Sequence, residues 1–483
     1  MNVAEHFPLM IPGAATSDHS PVQVRAPYDN SVIATVATAN AGAVEQALQN
    51  AAGLFAERDG WIPVPERIGI LERAIGLMQD QAEELAIEAA REGGKPLPDS
   101  HIEMARCIDS IHICINTLRT GNSESPPMGL NAASQQHLAM MCREPIGVVV
   151  AVSAFNHPLN LIAHQVGPAI ATGCPVIVKP AQDTPLSCAR LVRIFHQAGL
   201  PEAWCQFILP ESHALAEVLV SDARVAFFSF IGSAKVGWYL RSKLAAGTRC
   251  ALEHGGVAPV IVAADADLEM ALPGLVKGAF YHAGQVCVSV QRIFAHTSIA
   301  RELALRMTAS AQRLIVGDPT AAETEVGPLI REQEVERVKQ WVEEAVVTGA
   351  ELLCGGHVLD HQCYAPTVLF NPPADARVST AEVFGPVVCI YPFDDIDAAI
   401  AAANALDVAF QAAVYSRNID AALYTASRLA ASAVMVNEHT AFRVDWMPFA
   451  GLKQSGLGVG GIPFTMHDMQ ISKMIVVRSA GIS

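Results

Sequence analysis

Two periodicities alternate along the chain. Ala, Leu, Ile and Met recur at helical spacing over 41–56 and 65–92, with charges on the opposite face, and both stretches are predicted helices. From residue 145 the pattern changes to short, continuous apolar runs: IGVVVAVSAF (146–155), CPVIVKP (174–180), VAFFSFIG (225–232), APVIVAAD (258–265) and RIFAHTS (292–298). Helical segments at 161–171, 184–198, 213–220 and 233–245 separate most of them. Strands without polar alternation are covered on both faces, which predicts parallel sheet in an α/β architecture. Further strands are expected at 364–370, 386–393 and 432–438. The last run, QISKMIVVRS (470–479), has no helix after it and is free to pair with something else, another subunit included.

Length and composition narrow this picture. A chain of 483 residues is too long for one ordinary core, so two or more domains are expected. It is 51% apolar and 17% charged with 34 glycines, which suits a tightly packed soluble protein with many turns. The start, MNVAEHFPLMIPG, lacks the basic-then-apolar pattern of a secretory signal. No run reaches the roughly 18 uncharged apolar residues of a spanning helix. A formal charge of −16 argues against nucleic acid or an anionic membrane as partner. A cytoplasmic protein is expected. The 11 cysteines are scattered and form no CxxC pair, which argues against a disulfide framework and a structural zinc site. No metal site is expected, and most of these thiols read as small buried hydrophobes.

Two glycine-rich turns compete as phosphate cradles. GLGVGG (456–461) satisfies GxGxxG, but that fingerprint needs a strand before it and a helix after it. KQSG precedes it and a proline follows at 463, so it is read as a loop of close backbone approach. In FIGSAKVG (230–237) an apolar strand ends at Ile231, Gly232 turns the chain, and Ser233 stands where a helix begins. Free amides and the positive helix end would face an anion there, although an ordinary N-cap has the same appearance.

Several residue types that carry chemistry stand at strand ends. Asn156 follows the first long strand, Lys179 ends the second, and Glu253 sits before two glycines in ALEHGGVAP. Cys287 follows Gly284-Gln285, and Glu382 and Phe384 precede the strand at 386–393. Taken singly, each also has a plain structural reading: a turn, a surface charge, a buried thiol, a strand cap. Taken together, FNHPLN, IVKPAQ, FIGSAKVG, LEHGG, GQVC, EVFGPVV and PFAGLKQSGLG resemble the motifs of the aldehyde dehydrogenase superfamily in order and spacing, over essentially the whole chain.

The resemblance implies a Rossmann-like coenzyme domain (1–122 and 143–254), an α/β catalytic domain (255–440) and a small β oligomerisation element (123–142 with 464–483). It further implies a homodimer or homotetramer. Cys287 resembles the nucleophile that forms a thiohemiacetal and then a thioester. The Asn156 amide and the Cys287 backbone N–H resemble the oxyanion donors, and Glu253 the base that activates water. Lys179 resembles an adenosine-ribose contact, Gly232-Ser233 the pyrophosphate turn, Glu382 the nicotinamide-ribose partner, and Phe384 a neighbour of the nicotinamide ring.

Several positions depart from the family pattern. His254 replaces a leucine and Val257 a lysine beside Glu253; Ile231 and Ala234 stand where threonine is common. Gln182 stands where NAD-preferring relatives often carry Glu, so NAD and NADP both remain open, with a lean to NAD. The stretches 155–171 and 442–456 look most like the branch holding lactaldehyde, phosphonoacetaldehyde and non-phosphorylating glyceraldehyde-3-phosphate dehydrogenases. That implies a small hydroxylated or anionic aldehyde. Arg119, His157 and Arg443 are the candidates to meet an anion, since an arginine fork suits phosphate, sulfonate or carboxylate. The two arginines equally fit surface salt bridges, and His157 a core histidine. Acyl transfer to coenzyme A and a non-catalytic protein of the same fold are the alternatives. Glu253 argues against the first, and the intact Cys287, Asn156, Glu253 and Glu382 set against the second.

Overall fold

The computed structural model describes residues 5–15, 21–121 and 125–482. The domain boundary expected at 122–123 lies outside them. Four helices lead in: α1 (Ala41–Ala56), α2 (Val64–Asp80), α3 (Ala82–Gly93) and α4 (Leu97–Thr120). The single helix expected over 65–92 is therefore two. Gln81 separates them, its backbone N–H and its side-chain amide both donating to the Leu77 carbonyl. Apolar periodicity runs through the break, so spacing alone conceals it.

A first sheet then forms from β2 (Val148–Val152), β3 (Val176–Lys179), β4 (Cys205–Phe207), β5 (Val225–Ile231) and β6 (Arg249–Glu253); β1 (His137–Pro145) stands outside it. Its order is β6-β5-β2-β3-β4, all parallel, with Gly456–Leu457 added antiparallel on β6. The connecting helices are α5 (Asn160–Thr172), α6 (Pro185–Gln197) and α7 (His213–Ser221), and α8 (Ala234–Arg241) follows β5. The apolar faces of α5, α6 and α2–α4 share one core with β2, β3 and β4, while α1, α7 and α8 pack in a second core on the alternate residues of β2 and β3. The chain reverses its direction of travel across the sheet between β2 and β5. Such a switch point opens a crevice at the strands' carboxyl ends, where α/β proteins bind ligands.

The second sheet contains β7 (Pro259–Val262), β8 (Arg292–His296), β9 (Glu351–Cys354), β10 (Thr367–Phe370), β11 (Val387–Phe393), β12 (Gln411–Tyr415) and β13 (Ala433–Val436). Its order is β9-β10-β11-β8-β7-β12-β13, parallel except for β9 at the edge. Helix α9 (Leu268–Phe280) packs in its separate core.

The final run forms β14 (Gln470–Arg478) and pairs antiparallel with β1 along its whole length, from Gln470 opposite Pro145 to Arg478 opposite His137. Within the chain, the partner of this run is thus β1. Strand β1 also runs through the 142–143 boundary expected between domains. The ribbon leaves Leu138, Met140, Met474, Ile475, Val476 and Val477 exposed.

Candidate active site

A cavity of about 880 Å³ lies between the sheets, at the carboxyl ends of β2 and β5 and the amino ends of β8 and β11. Asn156, Glu253, Cys287, Gly232, Ser233, Glu382 and Phe384 line it, drawn from segments more than 200 residues apart in sequence. Strand β2 carries the chain into the loop holding Asn156 and His157, and β6 ends on Glu253. Cys287 follows a left-handed turn in which His282, Ala283 and Gly284 have φ of 47°, 53° and 70°. A Cβ on Gly284 would stand 2.1 Å from the Gly385 carbonyl oxygen, so only glycine admits the close pass of the two loops.

The polar atoms interlock around this turn. The Asn156 amide donates to the Gln285 carbonyl at 2.9 Å, which holds it beside the segment that ends in Cys287. Gln285 in turn donates to the His282 and Pro328 carbonyls and accepts from the Ile330 N–H. The Glu253 carboxyl lies over Gly460, where a Cβ would come within 2.0 Å of Oε1. GLGVGG is therefore the close-approach loop expected of it: Gly456 pairs with Glu253, and Gly460 leaves room for that residue's carboxyl. His254 is buried, its Nδ1 donating to the Gln454 carbonyl. It faces Gly237, whose missing side chain accommodates the ring in place of leucine. Val257 is buried too, and its carbonyl accepts from Arg292.

Burial dominates the electrostatics. It pushes the Cys287 thiol up to about 12, against the pull of Arg443, while Glu382 and Glu253 push the same way as burial. The Glu253 carboxyl is likewise raised by burial and eased by Arg443. Glu382 rises to about 8, again through burial, with the Gly256 N–H and Arg337 opposing.

The cofactor side can be tested against the residues present. Ser233 opens α8 with its hydroxyl left exposed at the switch-point crevice. Ser153 Oγ and Glu382 Oε1 are buried in the cavity wall and have no hydrogen-bond partner among the described residues. A buried acceptor left open is costly unless a ligand donor meets it. Phe384 stands edge-on to Phe155, ring centroids 5.8 Å apart, and forms an aromatic wall. These features fit a dinucleotide. Lys179 donates to the Pro180 carbonyl and Gln182 is exposed on the loop beyond; between and after them Ala181 and Asp183 reach the cavity edge.

The other end of the cavity is polar and tightly knit. Arg106 forks onto both oxygens of Asp445, at 3.0 and 2.6 Å. His164 Nε2 donates to Asp445 Oδ1 at 2.8 Å, leaving Nδ1 to accept from Arg443 Nη2 at 3.3 Å. Burial pushes Asp445 up, but His164 and Arg106 together hold it well below the usual carboxylate range. Burial lowers His164 to about 4, so it is neutral near pH 7. Arg443 lies 3.6 Å over the Phe449 ring, and its buried Nε has no hydrogen-bond partner among the described residues. His157 bonds the Tyr281 hydroxyl at 3.0 Å.

The aldehyde dehydrogenase family profile matches residues 14–475. The chain belongs to that family. This dehydrogenase is 37% identical to a 3-sulfolactaldehyde dehydrogenase of Priestia aryabhattai over 414 residues, 86% of each protein. Among solved structures it resembles aldehyde dehydrogenase 21 of Physcomitrella patens in complex with its reaction product succinate (TM-score 0.94, 31% identity, 99% of both chains). It also resembles the glyceraldehyde-3-phosphate dehydrogenase GapN of Methanocaldococcus jannaschii complexed with NADP (TM-score 0.91, 32% identity, 96% of this chain and 100% of that one).

Of the substrate-side residues expected from the dehydrogenase's sequence, His157 and Arg443 line the cavity and Arg119 does not. Arg119 ends α4, is 54% exposed in its side chain and pairs with Glu72 on the surface. The arginine of α4 that does reach the cavity is Arg106, more than three turns earlier. The signal lay in helical phase, since Arg106 borders the buried positions Glu103, Met104, Cys107, Ser110 and Ile111. Asn160, His164, Tyr281 and Asp445 were also missed. Asp445 is a plain acid in sequence, and only the fold brings Arg106, Asn160 and His164 around it.

Among the described residues, no helix is long and apolar enough to cross a membrane, and no group of three or more His, Cys, Asp or Glu is arranged to hold a metal ion.

Proposed function

We propose that this NAD(P)-dependent aldehyde dehydrogenase oxidises a small aldehyde with a distal anionic or hydroxylated group to its carboxylate, through a covalent intermediate on Cys287. The observation that carries the substrate class is Arg443: a buried guanidinium that lines the same cavity as the nucleophile and is only loosely paired, its Nε standing 3.8 Å from Asp445 Oδ1. An oxyanion of the substrate would complete its hydrogen bonding. The related proteins point the same way, their names giving a sulfonated aldehyde, a dicarboxylate product and a phosphorylated aldehyde.

In the mechanism Cys287, as thiolate, attacks the aldehyde carbon and forms a thiohemiacetal. The developing oxyanion draws on the Asn156 amide, which its bond to the Gln285 carbonyl holds beside the turn, and on the Cys287 N–H. Gly232, Ser233, Glu382 and Phe384, together with Lys179 and Gln182, would hold the dinucleotide, which would accept the hydride leaving the thiohemiacetal carbon and so leave a thioester on Cys287. Glu253 then takes a proton from the water that attacks the resulting thioester, and the carboxylate departs as Cys287 regains its proton. Burial raises the affinity of Glu253 for a proton, which makes it a stronger base than an exposed carboxylate.

The reading extends to the three-part division of the chain, with the β1–β14 ribbon as the oligomerisation element of a homodimer or homotetramer. The ribbon's exposed apolar side chains support this. A cytoplasmic setting and small-molecule chemistry without nucleic acid or membrane partners complete it. Gln182 is neutral, so NAD and NADP are both expected to support turnover, NAD the better.

The test is a screen of sulfonated, phosphorylated, carboxylated and neutral short aldehydes with NAD and with NADP, following reduced nucleotide by absorbance. Arg443→Met should raise KM for the anionic substrates and leave that for propanal unchanged. Equal effects on both would remove the anion from the reading, and no reduced nucleotide with any aldehyde would remove the activity.

A further inference from the structure

Behind the cavity wall lies a charged pair that the chemistry above does not use. Lys95, just before α4, and Glu103, two turns into it, are each 1% exposed and bond one another. A buried ion pair is a poor source of stability, because desolvating both charges offsets their attraction. Its retention calls for a positional reason.

The other oxygen of Glu103 supplies one. Oε1 accepts from the backbone N–H groups of Leu159 and Asn160, both at 2.9 Å. These amides open α5, and at such an end the helix dipole favours a negative charge. They stand three and four residues after Asn156, on the loop that carries its side chain. The same face of α4 grips that turn again: Cys107 Sγ donates to the Leu159 carbonyl at 3.8 Å, and Ser110 Oγ to Asn160 Oδ1 at 3.0 Å. One turn before Glu103, Asp99 accepts from Lys277 of α9 at 2.5 Å, just ahead of the Tyr281–Gly284 turn that leads to Cys287. Residues 99, 103, 107 and 110 follow the helical repeat, so a single rigid face braces the chain on both sides of the oxyanion position.

We infer that Glu103, paired with Lys95, is a positioning residue for the oxyanion amide of Asn156, acting through the Leu159 and Asn160 backbone amides. The inference rests on the reading of Asn156 as an oxyanion donor. Neutralising the carboxylate removes a two-point anchor and leaves Lys95 without its partner. The Asn156 amide then samples positions off the oxyanion, which lowers kcat while leaving ground-state binding largely intact.

The experiment is a double-mutant cycle on the full-length enzyme with Glu103→Gln and Asn156→Ala. Loss of one oxyanion donor through Asn156→Ala is expected to cost about 10²–10³-fold in kcat. Glu103→Gln alone should lower kcat by about 10-fold or more with KM within about twofold, and in the Asn156→Ala background it should cost less than about twofold further. Alkylation of Cys287 by iodoacetamide, which develops no oxyanion, should be unchanged in Glu103→Gln. Should that variant fail to fold, Glu103→Asp serves in its place: it keeps the charge opposite Lys95 but withdraws the carboxylate by one methylene from the two amides. Equal losses in both backgrounds, or a parallel fall in alkylation, would overturn the positioning role while leaving Asn156 in place. An unaltered kcat for Asn156→Ala would overturn the oxyanion assignment itself, and this inference with it.

Discussion

Gly460→Ala is the most direct probe of whether Glu253 acts as the general base from the place where it is held. The backbone there lies outside the left-handed region, so alanine brings no conformational strain of its own. Its Cβ would stand 2.0 Å from Glu253 Oε1 and 3.0 Å from the Phe449 carbonyl oxygen. Contacts under 3.0 Å do not persist, so the carboxyl must retreat by about 1 Å or more. Misplacing a catalytic group by that distance can cost about 10²-fold, or about 2.7 kcal/mol of activation free energy. The loss should fall on the step that uses Glu253, hydrolysis of the thioester, and spare the earlier attack by Cys287. Stopped-flow mixing with a preferred aldehyde should therefore show a burst of reduced nucleotide near one per site, followed by a steady state slowed about 100-fold. Full steady-state turnover would refute the argument that the base acts from this berth, and a vanished burst would show that the substitution disturbs Cys287 instead.

Other expectations follow from the same geometry. Cys287→Ser should abolish oxidation while leaving the thermal midpoint close to that of the parent, and retained turnover would point to a different nucleophile. Because burial raises the Cys287 thiol to about 12, alkylation of the cofactor-free enzyme should be slower than that of free cysteine at pH 8 and climb about tenfold per pH unit above it; a plateau below pH 9 would contradict this. Glu382 is raised in the folded state to about 8, so the stability it contributes is complete below the ordinary carboxyl range and is lost as pH rises toward 8. The thermal midpoint of the cofactor-free enzyme should fall between about pH 5 and 8, and Glu382→Gln should flatten that slope. Arg119→Ala should leave KM for anionic aldehydes unaltered, whereas Arg106→Ala should raise it by freeing Asp445 to compete for Arg443.

Much of this architecture was legible from local patterning, for a physical reason. Strands covered on both faces must be apolar without interruption, and the runs at 148–152, 176–179, 225–231 and 259–262 announce themselves that way. The break at Gln81 was not legible, because a side-chain bond to one carbonyl can end a helix without disturbing its apolar period. Strand β1 reads as a mixture of polar and apolar residues, since both faces of a two-stranded ribbon are partly open to solvent. Its pairing with β14 spans over 300 residues and leaves no local trace.

What the sequence determined by itself was the family and the motif residues that meet in the cavity. Cys287, Asn156, Glu253 and Glu382 sit in short motifs whose order is written in the chain. What only the tertiary structure decided was their company. Whether an arginine on α4 faces the cavity or the solvent depends on helical phase against a neighbour, and that chose Arg106 over Arg119. Asp445 became a hub because α4 and α5, both distant from it in sequence, converge on it. Gly460 mattered for a side chain it lacks, opposite a carboxyl 207 residues earlier. Motifs record the chemistry each residue can do, whereas distances between distant segments are set by how the strand ends of two sheets face each other across the cavity, and no single segment encodes that.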